Sequence, residues 1–147
     1  MIAHCQNNDE NMALLLINVD ALQAINAKKG KELGDEVMRE LSTLLHDIAR
    51  PGDVIGRSRG DEFCLLLPNI SEQAAMQLAE QIRSAMELNL IVADDQNLFV
   101  TVSIGASHSE YVGLDYQDLL AAAESAMYNA KAVGNKIVAH SDIHKMN

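Results

Sequence analysis

The run Ala13 to Val19 (ALLLINV) is apolar over strand length and ends in Asn18-Val19-Asp20. A stretch of that kind has no polar face to offer to water, so it reads as a central strand, covered on both sides. Around it the pattern alternates. From Gly34 a helical period appears in Val37, Leu41, Leu44, Leu45 and Ile48 and stops before Pro51-Gly52. DVIGRS and FCLLL are two strand signals around the polar tetrad Arg59-Gly60-Asp61-Glu62, which predicts a β-hairpin with its charges at the tip. Ser71 can cap a helix whose one face carries Ala74, Ala75, Leu78, Ile82 and Met86, and the stretch LNLIVADDQN after it is less regular. A strand is predicted over Phe99 to Ala106, a helix from Asp115 or Tyr116 to Val133 closed by Gly134, and a short strand over Lys136 to His140.

Strands interleaved with three helices mean an α/β domain, and the hairpin makes its central sheet mixed, with helices flanking it. The expected division is a polar segment over 1–12, the domain over 13–141 and a tail over 142–147. At 147 residues, 48% apolar and 22% charged, with 8 glycines and 2 prolines, the composition is that of one globular domain. The net charge of −10 argues against a general electrostatic grip on DNA, RNA or an anionic membrane surface, although not against a single nucleotide. No apolar stretch approaches the length of a bilayer span, and Cys5 and Cys64 form neither a metal-spaced pair nor a disulfide framework. A cytoplasmic setting is therefore expected, including as part of a larger, membrane-attached protein. Cys64 reads as buried filler, the five histidines lack the spacing of a zinc site, and Gly105 marks a place where backbone or ligand comes close.

Asn18 and Asp20 lie two apart at a strand end and share a face, and Asp61 and Glu62 sit at the tip of a hairpin able to lie beside them. Carboxylates gathered this way hold Mg²⁺ against substrate phosphates, since a hard cation takes oxygen ligands and keeps part of its water shell. Spacing alone leaves that reading beside the plainer one of a solvated turn and strand end.

Four segments together, LLLINVDALQAINAKKGKELGD, ARPGDVIGRSRGDEFCLLLP, TVSIGAS and AESAMYNAKAVGNKIV, resemble the GGDEF domain, the catalytic domain of diguanylate cyclases, from Leu14 almost to the C-terminus. The resemblance implies a fold related to the palm of nucleotidyl cyclases and polymerases. It also implies condensation of two GTP molecules into cyclic di-GMP, across a homodimer in which each 3′-hydroxyl faces the partner's α-phosphate, with Mg²⁺ or Mn²⁺ as the metal. Carried over by position, the metal ligands are Asp61, Asn18 and the backbone carbonyl of Val19, and Glu62 beside Asp61 is the catalytic neighbour. Nucleotide contacts fall on Asn26, Asp35, Gly60 and Lys131.

Four positions depart from the family's pattern. Asn18 replaces a metal-binding Asp and removes one negative charge from the site; Arg59 replaces the first glycine of the signature; Gln23 and Asn135 stand where the family carries phosphate-side Lys and Arg. Arg50-Pro51-Gly52-Asp53 matches the Arg-x-x-Asp motif of product-inhibited members, which implies a cyclic di-GMP site at Arg50 and Asp53. Taken bare, the same four residues are a surface turn.

From retained and departed residues the leading expectation is a degenerate domain that binds cyclic di-GMP at Arg50 and Asp53 and acts as a signalling receptor. The alternatives are a weakly active, product-inhibited diguanylate cyclase and a protein-interaction module without nucleotide. The family's Leu-Thr-Gly-Leu and Asn-Arg segment has no counterpart in the 17 residues before Asn18, so the chain is expected to be trimmed from a longer protein or to lack that entry helix. An attached sensory or output domain, or a partner protein, completes the expectation.

Overall fold

The computed structural model describes Cys5, residues 10–93 and residues 96–145. Most of the polar segment expected over 1–12, residues 94–95 and the last two residues of the expected tail lie outside the described residues. In chain order the elements are β1 (Met12–Val19), α1 (Leu22–Lys29), α2 (Lys31–Ile48), β2 (Val54–Arg59), β3 (Glu62–Pro68), α3 (Glu72–Leu88), β4 (Ile91–Ala93) and β5 (Gln96–Leu98). Then follow β6 (Val102–His108), α4 (Ser109–Val112), α5 (Tyr116–Val133), β7 (Ile137–Ala139) and α6 (His140–Lys145).

The apolar run becomes the middle strand of a five-stranded sheet ordered β2-β3-β1-β6-β7. Every pairing is antiparallel except β6 with β7, so the sheet is mixed, as the hairpin and interleaved helices predicted. All eight residues of β1 are buried because both faces are covered. Ala13, Leu15, Ile17 and Val19 pack with Val37, Leu41, Ile82 and Met86 of α2 and α3. Met12, Leu14 and Leu16 pack on the other side against Leu119, Ala123 and Met127 of α5, with Cys64 among them.

Gly105 explains how α5 lies so close. A β-carbon there would overlap the Ala123 carbonyl oxygen and the Met127 amide nitrogen, so strand and helix meet backbone to backbone. Polar but small, Ser103 and Ser107 fill the rest of this face of β6; Ser107 donates to the Leu119 carbonyl at 2.6 Å, and the Ser103 hydroxyl lies 3.5 Å from the Ala130 carbonyl.

Several features differ from the sequence expectation, the short helix α4 after β6 among them. Helix α1 was not foreseen, because its residues are polar nearly all round and only Leu22 is buried. The stretch read as irregular forms a two-stranded ribbon, β4 with β5. β6 begins and ends later than expected, since Val100 is buried ahead of the strand while the ladder continues to His108. α6 runs through the boundary expected between domain and tail. Among the described residues no helix is long and apolar enough to cross a membrane.

Ser71 caps α3 as its position suggested, its hydroxyl accepting from the Ala74 amide at 3.1 Å. Ser71→Ala is expected to cost about 1 kcal/mol. A thermal melt should read this as a midpoint lowered by about 3 °C.

Candidate active site

The hairpin between β2 and β3 is shaped by a bulge. Arg57 pairs with Phe63 but Arg59 pairs with Glu62, so Ser58 is an extra residue that twists the strand and aims its neighbours at the tip. On one face the Ser58 hydroxyl donates to the Glu62 carboxylate at 2.7 Å. On the other, the Arg57 guanidinium donates to the Gly60 carbonyl and lies 5.7 Å from the centroid of the Phe63 ring. The tip is thereby tethered from both sides.

The end of β1 meets this tip. Asn18 stands opposite Glu62 on β3 and opposite Ser103 on β6, so the three side chains share one face. Asn18 and Glu62 are each only 3% exposed. Both the Asn18 side-chain amide and the Val19 backbone amide donate to the Asp61 carbonyl at 3.4 Å, which clasps the tip to the strand. A carboxylate at position 18 could not make the first of these bonds, because it has no proton to donate.

Asp20 does not join this group. Its carboxylate accepts from the hydroxyls of Thr101 and Ser103 at 2.6 Å each and from the Asn135 amide at 2.8 Å, so the pairing of Asn18 and Asp20 around one cation, suggested by their spacing, gives way to two separate roles.

On the other face of the hairpin lies a cleft of about 560 Å³. Asn26 of α1 and Asp35 of α2 form one side, Gly60 and Asp61 of the tip another, and Gln23 closes the floor with Leu22. A β-carbon at Gly34 would overlap the Asn26 side-chain oxygen, so the glycine leaves the Asn26 amide its present place against α2. Four of the residues singled out in the sequence for nucleotide and metal thus line one cavity. Two others the sequence reading missed, Lys31 and Arg57, line it too and supply positive charge on the side where Gln23 supplies none. Their signal was slight: a lysine beside Gly30 and an arginine one residue before the bulge.

The remaining predicted residues sit elsewhere. Lys131 is exposed on the last turn of α5. The Asn135 side chain accepts from Arg83 of α3 at 2.9 Å, and Arg83 is itself paired with Glu80 and Glu87. Arg50 and Asp53 lie on the turn before β2, at the far end of that strand from the tip. They bond to each other: the Asp53 carboxylate, fully buried, accepts from the Arg50 amide at 2.7 Å and from its guanidinium at 2.9 Å. The same guanidinium reaches the Pro68 carbonyl at 2.8 Å, so the pair fastens its turn to the end of β3. Cys64 is buried beside Tyr116, and burial, reinforced by the charge of Glu62, pushes its thiol up to about 11 against the pull of the Tyr116 hydrogen bond.

The donors near the tip suit a hard divalent cation. Asp61 supplies a carboxylate, Asn18 an amide oxygen and Val19 a carbonyl, an all-oxygen set with the Glu62 carboxylate next in the chain. Among the described residues there is no group of three or more His, Cys, Asp or Glu able to hold a metal. With so little fixed negative charge, the set fits a Mg²⁺-like ion that shares its coordination with substrate phosphates.

Residues 1–136 match the family model described as "Diguanylate cyclase, GGDEF domain". The chain is 35% identical over 138 residues to the diguanylate cyclase DosC of Escherichia coli K12, covering 93% of this chain and 30% of that protein. It is 33% identical over 129 residues to diguanylate cyclase A of Treponema denticola, covering 88% of this chain and 35% of the relative, so it spans about a third of the length of these proteins. Among solved structures, the active GGEEF domain of a diguanylate cyclase from Vibrio cholerae superposes with a TM-score of 0.87 at 27% identity, covering 94% of this chain and 88% of that one.

These relatives correct the leading expectation from sequence. A degenerate receptor was inferred from Asn18, Arg59, Gln23 and Asn135, yet the chain's relatives are diguanylate cyclases and a matching structure is an active domain. The physical reason is visible in the site: the cleft and the clasped tip remain assembled around Asn18, and Lys31 and Arg57 provide cations that the comparison of motifs did not count. By sequence, fold and the layout of the cleft, the chain belongs to the GGDEF family, the domain of diguanylate cyclases.

Proposed function

We propose that this domain is a diguanylate cyclase that joins two GTP molecules into cyclic di-GMP, one GTP held by each of two facing copies. The observation that carries the reading is the convergence of Asn26, Asp35, Gly60 and Asp61 on one cleft. In each of two steps a 3′-hydroxyl oxygen bonds to the α-phosphorus of the other nucleotide, the bond to the bridging oxygen breaks, and diphosphate leaves, so that two diphosphates are released per product.

Asp35 is suited to accept from the two N–H donors on the guanine edge, and Asn26 can donate or accept beside it. Gly60 lets the backbone of the tip approach the nucleotide. Lys31 and Arg57 offset phosphate charge from the cleft wall, and Lys131 does so from the end of α5. Glu62, oriented by Ser58, is the carboxylate placed to take the proton of the attacking hydroxyl. Asp61, the Asn18 amide oxygen and the Val19 carbonyl would hold Mg²⁺ or Mn²⁺, which when bound neutralises charge at the reacting phosphate. Product feedback at the turn before β2 would engage the partly exposed Arg50 guanidinium, because Asp53 is enclosed. Regulation by an attached domain or partner, and the pairing of two copies, belong to the same proposal.

The test is incubation of the purified protein with GTP and Mg²⁺ or Mn²⁺, with products identified by mass spectrometry. Cyclic di-GMP is expected from the unaltered protein, and Asn18→Asp should raise the rate about tenfold by restoring a charged ligand. Absence of GTP turnover with either metal, in both proteins, would overturn the reading.

A further inference from the structure

The Asp20 carboxylate is held by several hydrogen bonds at the end of β1. It takes three short bonds from two separate parts of the chain: Thr101 and Ser103 at the entry to β6, and the Asn135 amide in the turn after α5. Its own backbone amide donates to the Thr101 carbonyl at 2.9 Å, so main chain and side chain are held at once. Hydrogen bonds to an ionised carboxylate at such distances are among the stronger ones in a protein.

A second observation concerns the backbone on either side. Ala21, which follows Asp20, has φ +60°, and Asn135, which donates to it, has φ +50°. Both are left-handed at residues carrying a β-carbon; asparagine adopts that conformation readily, whereas at Ala21 it costs about 1 kcal/mol or more and persists only where the surroundings hold it. Ala21 also begins α1 without any side-chain cap. The Asp20 carboxylate is next in the chain to the first of these residues and accepts from the second.

We propose that Asp20 is a positioning residue, a buckle that fixes the turn into α1 and the turn out of α5, and through them the two sides from which the nucleotide is gripped. The first turn leads directly into Leu22, Gln23 and Asn26, which line the cleft. The second follows the last turn of α5, which carries Lys131; Ser103, bonded to Asp20, also reaches the Ala130 carbonyl there at 3.5 Å. Asp20 acts without touching substrate or metal. The functional half of this proposal rests on the nucleotide reading above, and the structural half stands without it.

Two variants separate this role from that of a metal ligand. Thr101→Val with Ser103→Ala removes two of the three donors and leaves every carboxylate in place, whereas Asp20→Asn keeps the shape and removes the charge. Amide hydrogen exchange on the nucleotide-free protein is the first readout, and both variants should exchange about tenfold faster over 20–24 and 133–137. The second is a titration with a fluorescent GTP analogue, where both should bind about tenfold more weakly while kcat at saturating GTP and the metal concentration for half-maximal rate stay within about threefold of the original. Ser103→Ala alone, which leaves two donors, should move the same quantities in the same direction by less. Exchange and affinity left unchanged by the paired hydroxyl deletions, with Asp20→Asn alone impaired, would overturn the buckle. Faster exchange in a protein that binds no GTP would instead sink the nucleotide reading and leave the buckle in place.

Discussion

Asp61→Asn is expected to lower cyclic di-GMP formation by about a hundred- to a thousandfold. The melting midpoint should stay within about 2 °C, as for a surface substitution. The size of the effect follows from Asn18. Where an acid at position 18 would share the load, this chain has an amide, so Asp61 carries the anionic oxygen on the cleft side of the tip and Glu62 the one on the buried side. Losing one of two charges should be felt far more than losing one of three. Asp61 is half-buried on a turn, and the clasp between tip and β1 runs through its backbone carbonyl, which the substitution leaves untouched. The rate measured beside a melting curve therefore separates chemistry from folding. A variant that keeps a tenth or more of the activity would remove Asp61 from the site.

A larger effect on stability is expected from Gly105→Ala. The added methyl would overlap two backbone atoms of α5, at Ala123 and Met127, and neither can rotate aside as a side chain would. Relief requires α5 to lift from the sheet, opening contacts of Leu14, Leu16 and Leu119 behind it. A penalty of about 4 kcal/mol is reasonable for such overpacking, a large part of the margin by which a domain is stable. In a thermal melt this is a fall of about 10 °C or more, or loss of soluble protein. A midpoint unchanged within about 2 °C would mean that strand and helix are not in backbone contact.

Much of the sheet was legible because its signals are local. The run ending in Asn18-Val19-Asp20, the polar tip and the Ser71 cap each state their structure within a few residues, and the cleft residues Asn26, Asp35, Gly60 and Asp61 follow motif spacing. What escaped was set by distant partners. Nothing near Asp20 announces that Thr101, Ser103 and Asn135 will surround it, so its spacing from Asn18 suggested a shared cation. Arg50 and Asp53 read as a turn when taken bare and as ligand-binding residues within the family's pattern, and only the fold shows how fully each occupies the other. α1 lacks an apolar stripe because one leucine is all it buries, and β4 and β5 are three residues each, too short for alternation to register.

The bulge that aims Ser58 and Arg57 at the tip also decides how the domain treats its own kind. β2 is the outermost strand on one side of the sheet, and β7, at the other rim, is only three residues long. A row of open amides on a flat rim invites a neighbouring chain to add a strand, the first step toward fibrils. Here one rim is kinked and bears arginine, and the other ends within a turn's length at α6. With both rims closed in this way, the sheet offers no flat edge for open-ended strand addition.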